Sequence, residues 1–218
     1  MKLELIRHTW GTNGSWEELF PAFHAAGYAG VEIAPPSLED RTRLSDLLQQ
    51  YRFTLILQIA TSGRTVAEHL DTFERHLHAA CASSPHLINA HSGRDSWTDA
   101  EAEWYFSRSL ELEVACGITV THETHRSRIL YTPWMTAKMM ELFPDLKLCC
   151  DFSHWVCVSE SLLEEHTDLI RRSAERCHHL HARVGHEQGP QVSDPSAAEY
   201  ARHLAAHEAW WDMVWAAQ

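Results

Sequence analysis

Two rhythms of apolar and polar residues take turns along the chain. Short runs with the alternating pattern of strands lie at 3–8, 30–33, 53–59, 86–91, 118–123, 147–151 and 178–182. Longer stretches with helical spacing lie at 16–26, 38–51, 66–83, 99–116, 132–143, 162–176 and 195–215. Ser15, followed by Trp16 and the acidic pair Glu17 and Glu18, reads as a helix start. Gly27, Gly30 and Gly117 stand where helices stop and strands begin. Strand then helix, repeated through the chain, predicts parallel strands joined by crossover helices.

The repeat is regular. The last polar residue of each predicted strand is His8, Glu32, Gln58, His91, Glu123, Asp151 or His181. Successive members lie about 24 to 33 residues apart, the unit size of a (β/α)₈ TIM barrel of about 250 residues. A doubly wound open sheet is the alternative, but no GxGxxG or other phosphate loop follows the first strand. The expected fold is a TIM-type α/β barrel with seven units and no eighth strand, one domain over residues 1–218 that is incomplete at its C-terminal end.

Side chains alternate between the two faces of a strand, so parity says which residues look into a barrel. Ile118, Val120 and His122 share one face, and Thr119, Thr121 and Glu123 the other. Leu146, Leu148 and Cys150 oppose Lys147, Cys149 and Asp151, while Leu180 and Ala182 oppose His179 and His181. The apolar faces pack on helices. Glu123, Asp151 and His181 then project inward from three consecutive strand ends, at the rim where such barrels keep their catalytic groups. Two carboxylates and an imidazole at one point suit a divalent ion such as Mn²⁺, Co²⁺, Zn²⁺ or Mg²⁺. The competing arrangement pairs Glu123 and Asp151 with arginines such as Arg126 or Arg183.

Composition narrows the function. The chain is 44% hydrophobic and 22% charged, with a net charge of -12 from 18 Lys+Arg against 30 Asp+Glu. That balance is ordinary for a globular domain and argues against nucleic acid as a partner, which is gripped through a basic surface. Histidine is abundant, at 17 residues, and His69, His76, His78 and His166 read as helix-surface positions. The six cysteines show no CxxC spacing and read as free thiols in a reducing compartment. The start, MKLELIRHTWG, has no signal-peptide stretch, and no run approaches a membrane span, so a soluble cytoplasmic protein is expected.

Five segments carry a resemblance. His122-Glu123-Thr124-His125-Arg126, Cys150-Asp151-Phe152-Ser153-His154-Trp155 and His179-Leu180-His181-Ala182-Arg183-Val184-Gly185 resemble the fifth, sixth and seventh strand ends of sugar phosphate isomerase/epimerase proteins, of the xylose isomerase-like TIM-barrel superfamily. Gly27-Tyr28-Ala29-Gly30-Val31-Glu32 and Asn89-Ala90-His91-Ser92-Gly93 match at the second and fourth. The resemblance implies a metal on Glu123, Asp151 and His181, with a further Glu from an eighth strand, and substrate oxygens touched by His154 and Arg183. The residues agree. His154, in the loop above the rim, is placed to hydrogen-bond a hydroxyl or carry a proton. Arg183, two past His181, is placed to steady an oxyanion or hold a phosphate.

Glu123, His154 and Arg183 are thus the expected catalytic residues. Glu32, His91, His125, His154 and Arg183 are the expected substrate contacts, with Glu32 alternatively anchoring Arg7. His8 is a further rim position, His186 and Glu187 are placed to cover the mouth, and Trp10, Trp97, Trp134 and Trp155 follow strand ends. The expected activity is a metal-dependent proton or hydride shift next to the carbonyl of a small sugar, sugar phosphate or polyol, in carbohydrate metabolism. No strand or Glu follows Trp215, which leaves the outermost strands without a neighbour. A shortened sequence, a covering homo-oligomer, or a degenerate metal- or sugar-binding relative would each account for it. An AP endonuclease-like phosphodiesterase is the alternative activity.

Overall fold

The computed structural model describes residues 3–218. Seven strands, β1 (Ile6–His8), β2 (Gly30–Ile33), β3 (Thr54–Ala60), β4 (Leu87–His91), β5 (Thr119–Glu123), β6 (Leu148–Cys150) and β7 (Cys177–Leu180), make one parallel sheet in sequence order. The helices are α1 (Trp16–Ala25), α2 (Arg41–Tyr51), α3 (Val66–Cys81), α4 (Asp99–Cys116), α5 (Pro133–Leu142), α6 (Phe152–Ser159), α7 (Thr167–Ala174) and α8 (Ala201–Ala217). All seven expected strands and seven expected helices are present, with shifted ends.

The sheet is curled. Strands two and seven of a flat sheet would stand five spacings apart, about 24 Å. Glu32 at the end of β2 nonetheless hydrogen-bonds His179 on β7 and His181 just beyond it. The strands therefore form the wall of a cylinder, with β1 and β7 as its two edges and no ladder joining them among the described residues. The outward faces of the strands, with Val31, Leu57, Ile88, Val120 and Leu148, pack on helix residues such as Phe20, Phe73, Phe106, Met140 and Ile170 in one cluster. This burial supplies the main driving force for the fold, at about 25 cal/mol per Å² of apolar surface.

Local chemistry sets the ends of the helices. Thr98 and Glu101 exchange bonds at the start of α4: the Thr98 N–H donates to Glu101 Oε2 at 2.8 Å, and the Glu101 N–H to Thr98 Oγ1 at 3.4 Å. Gly117 closes α4 at φ +70°. Gly30 serves close approach: a Cβ there would sit 2.3 Å from the Thr54 carbonyl oxygen on β3.

Three expectations need correction. The stretch after β6 is not a loop: Asp151 caps α6, accepting from the Ser153 N–H at 3.1 Å, so His154 sits in the first turn of a helix. His69 is buried, not on a helix surface. Cys81 and Cys116 form a disulfide between the ends of α3 and α4, while Cys149, Cys150, Cys157 and Cys177 are free. Two helices lying side by side bring those two residues together across a separation of 35 positions, which spacing alone does not reveal. No helix among the described residues is long and apolar enough to cross a membrane.

Candidate active site

The strand ends deliver their polar residues to one mouth. Asn89 and His91, two apart on β4, both reach Glu123 on β5: Asn89 Nδ2 donates to Glu123 Oε2 at 2.8 Å and His91 Nε2 at 2.7 Å. Asn89 Nδ2 also lies 3.1 Å from Glu32 Oε1. His179 and His181 donate to Glu32 Oε2 at 3.0 and 2.8 Å, and His181 Nδ1 lies 3.5 Å from Glu123 Oε2. Glu32 does not anchor Arg7, whose guanidinium turns back to the His8 carbonyl.

A register shift places the β7 histidines. Leu148 pairs with Cys177, but Cys149 pairs with His179, so β7 carries one extra residue at that point. The bulge swings His178 out to solvent and sets His179 and His181 inward on the face of Cys149. The strand ends at Leu180. The chain then makes a tight turn, Arg183 N–H to His181 C=O at 2.9 Å, instead of continuing extended as expected. That turn lays Arg183 on α6: Nη2 reaches Asp151 Oδ2 at 2.6 Å and also meets His154 Nε2, while Nε donates to Ser153 Oγ at 3.2 Å. The alternative pairing of Asp151 with Arg183 is therefore present alongside the carboxylate cluster.

The electrostatics follow from burial and partners. Burial alone raises a carboxylate's pKa, but His181 and His91 outweigh it at Glu123, and His181 and His179 outweigh it at Glu32, so both lie well below the usual value. Asp151 is raised, by burial and then by the Glu123 charge, against the pull of Arg183. Burial works against a charge on His181, but Cys149, Glu32 and Glu123 around it prevail and its pKa is raised well above normal. His154 falls to about 2 and His125 to about 4, in both cases mainly through burial. Their rings lie 3.8 Å apart, and that of His125 lies 4.5 Å from His91.

A divalent cation fits this donor set. Glu123, Asp151 and His154 each offer a ligand atom within 4.8 Å of the others, and His91, Glu123 and His125 do the same. Two buried polar atoms beside them, His154 Nδ1 and Asn89 Oδ1, have no hydrogen-bond partner. Asn89 Oδ1 keeps acceptor capacity of the kind a hard ion takes up, whereas His154 Nδ1 carries the ring proton while Nε2 accepts from Arg183.

The other expected positions are less central. His8 accepts the Trp10 N–H at 2.7 Å, with its ring 5.8 Å from that of His181. His186 closes a small turn with Gly189, and Glu187 bonds His203. Trp155 is core, donating to the Leu130 carbonyl, and Trp10 is exposed. Sequence reading did not single out Asn89 or Ser153. Asn89 shares the parity of His91, and Asp151-x-Ser153 has the form of a helix cap, so both signals were in the pattern.

A family profile for the xylose isomerase-like TIM barrel matches residues 20–209. Among solved structures, the chain is similar to a probable 3-DHS dehydratase, AsbF, from Bacillus anthracis, with 16% identity, TM-score 0.68, and 90% of this chain and 80% of that one covered. It is also similar to an AP endonuclease of family 2 from Brucella melitensis, with 17% identity, TM-score 0.65, and 95% and 89% covered. A sugar phosphate isomerase/epimerase from Parabacteroides distasonis aligns at 11% identity and TM-score 0.61, over 92% and 82% of the two chains. No curated protein matches the chain significantly by sequence. At these identities the likeness to solved structures speaks for the fold alone, and the family match covers most of the chain. The chain belongs to the xylose isomerase-like TIM-barrel family.

Proposed function

We propose that this protein is a divalent-metal-dependent isomerase or epimerase that moves a proton at a carbon next to the carbonyl of a small sugar, sugar phosphate or polyol-derived substrate. The observation that carries it is the meeting of Glu123, Asp151 and His154 donor atoms within 4.8 Å, with His181 set between Glu32 and Glu123. The expected ligands Glu123, Asp151 and His181 would hold the ion once the His181 ring turns from Glu123; as the donor atoms stand, Glu123 and Asp151 group with His154, and His181 groups with Cys149 and His179. When bound, the ion would polarise the carbonyl and acidify the neighbouring C–H.

The chain's own groups divide the remaining work. Glu123, kept ionised by the histidines around it, takes the proton. Arg183 holds positive charge beside Asp151 and His154, where an oxygen gains negative charge as the C–H breaks. His154 stays neutral at its depressed pKa and so serves as a hydrogen-bonding partner for a substrate hydroxyl. His125 and His91 continue the row of rings from His154, at 3.8 and 4.5 Å between neighbours. Proton removal next to a carbonyl also begins many dehydrations, so a dehydratase among the similar structures agrees with the same first step.

The test is solvent-deuterium exchange and aldose–ketose conversion over a panel of sugars and sugar phosphates, with Mn²⁺, Co²⁺, Zn²⁺ or Mg²⁺ after chelation. Glu123→Gln is expected to lower turnover by about 10²–10⁴-fold, the usual worth of a positioned base. Metal-independent exchange, or none with any substrate, overturns the reading.

A second reading has one observation of its own. The His91, Glu123 and His125 group shares Glu123 with the first, and two ions about one carboxylate suit phosphodiester hydrolysis. Nicking of abasic DNA with added Zn²⁺ would support it, against the net charge of -12.

A further inference from the structure

Beside the mouth, the loops after β3, β4 and β5 line an open pocket of about 430 Å³. Ser62, Ser96 and Ser127 line it with His69, Arg94 and Arg128. In a chain with so many acidic residues, the two arginines are unusual. Arg94 donates to His69 Nε2 at 3.2 Å and to the Gly63 carbonyl at 2.8 Å. Arg128 donates to the carbonyls of Thr61 and Gly93 at 3.0 and 3.3 Å. Among the described residues neither forms an ion pair with a carboxylate, and the Arg128 Nε is buried without a partner. Asp95 also borders the pocket, which leaves two cations facing one carboxylate.

The guanidiniums are held in place. His69, buried in the first turns of α3, is fixed by Thr61 Oγ1 at 2.8 Å and takes up the Arg94 Nε. Arg128 is tied to the ends of two strands. A guanidinium with its stem fixed and part of its donor fork unspent loses little side-chain entropy when it grips a planar or tetrahedral oxyanion. The hydroxyls of Ser62, Ser96 and Ser127 add neutral donors.

We propose that this pocket is an anion subsite, in which Arg94 and Arg128 hold a phosphate monoester or carboxylate group of the substrate while its carbonyl end lies at Glu123 and Asp151. The inference deepens the proposed function and rests on it only for the rest of the substrate; anion binding itself can be measured without turnover.

Calorimetric titration with inorganic phosphate, acetate and, as a neutral control, glycerol tests it. Saturable binding of phosphate or acetate is expected, the tighter of the two identifying the substrate's group. Arg94→Gln and Arg128→Gln should each weaken it about tenfold, the worth of one charge-assisted hydrogen bond. Asp95→Asn should tighten it about threefold by removing a like charge, a gain that damage to the fold would not produce. Arg183→Gln, which removes the other guanidinium at the mouth, should leave anion affinity as it is while ending turnover, so this inference and the proposed function fail separately. Binding equal in wild type, Arg94→Gln and Asp95→Asn, or no saturable binding of either anion, overturns the subsite.

Discussion

Glu32 and Glu123, three strands apart, are joined by two bridges. Asn89 Nδ2 donates to both, at 3.1 and 2.8 Å, and the His181 ring spans them, with Nε2 2.8 Å from Glu32 and Nδ1 3.5 Å from Glu123. Two buried carboxylates so close would repel each other without the imidazole and amide donors between them. Glu32 therefore acts on the mouth through His181, orienting the ring and raising its basicity, as carboxylates behind ligating histidines do.

Glu32→Gln should accordingly weaken Mn²⁺ or Zn²⁺ binding by about 10- to 100-fold while Glu123 and Asp151 remain in place. Isothermal titration of the metal-free protein measures it. Unchanged affinity would mean that His181 needs no support from β2.

Gly185 lies against α6, where an added Cβ would meet the Ser153 carbonyl oxygen at 2.7 Å. Gly185→Ala should push the turn that carries Arg183 away from Asp151 and His154. A stability loss of about 1–3 kcal/mol is expected, as for other overpacked sites. Substrate turnover should fall alongside it. Urea unfolding and steady-state kinetics on the same preparation separate the two effects.

The disulfide closes a loop of 35 positions between α3 and α4. By chain entropy such a link contributes about 3–4 kcal/mol. Cys116→Ser, or reduction of the wild type, should lower the unfolding free energy by that amount in a denaturant series. Thiol titration of the unreduced, unfolded wild type should find only Cys149, Cys150, Cys157 and Cys177 reactive.

His207 on α8 is buried, accepts the Gly185 N–H at 3.2 Å and bonds the His203 carbonyl at 2.8 Å. Burial depresses its pKa to about 4. The unfolded chain, with histidine near its ordinary value of 6.5, therefore binds the proton first. Stability from this group is full above pH 6.5, is lost as pH falls from there towards 4, and is level below. The difference is about 3 kcal/mol at most. His207→Gln should flatten the stability profile over that window relative to wild type in urea melts at successive pH values.

The strand and helix rhythm, the parallel order and the inward parity of Glu32, His91, Glu123 and Asp151 were legible because side-chain alternation is a local property of the backbone. His179 was placed on the inward face as well, yet its role was not, because its partner Glu32 is 147 positions away. The short helix α6 was hidden because it starts directly at Asp151, with no loop to announce it.

What the chain order determined by itself is therefore the barrel wall and the residues that face its interior, since periodicity and capping act over a few neighbours. What only the tertiary structure decided is who meets whom: the β7 bulge that turns two histidines onto Glu32, the turn that sets Arg183 on Asp151, the Cys81–Cys116 link, and the unpaired Arg94 and Arg128 facing one pocket. Those contacts depend on curvature and on the packing of distant segments, which no local pattern encodes.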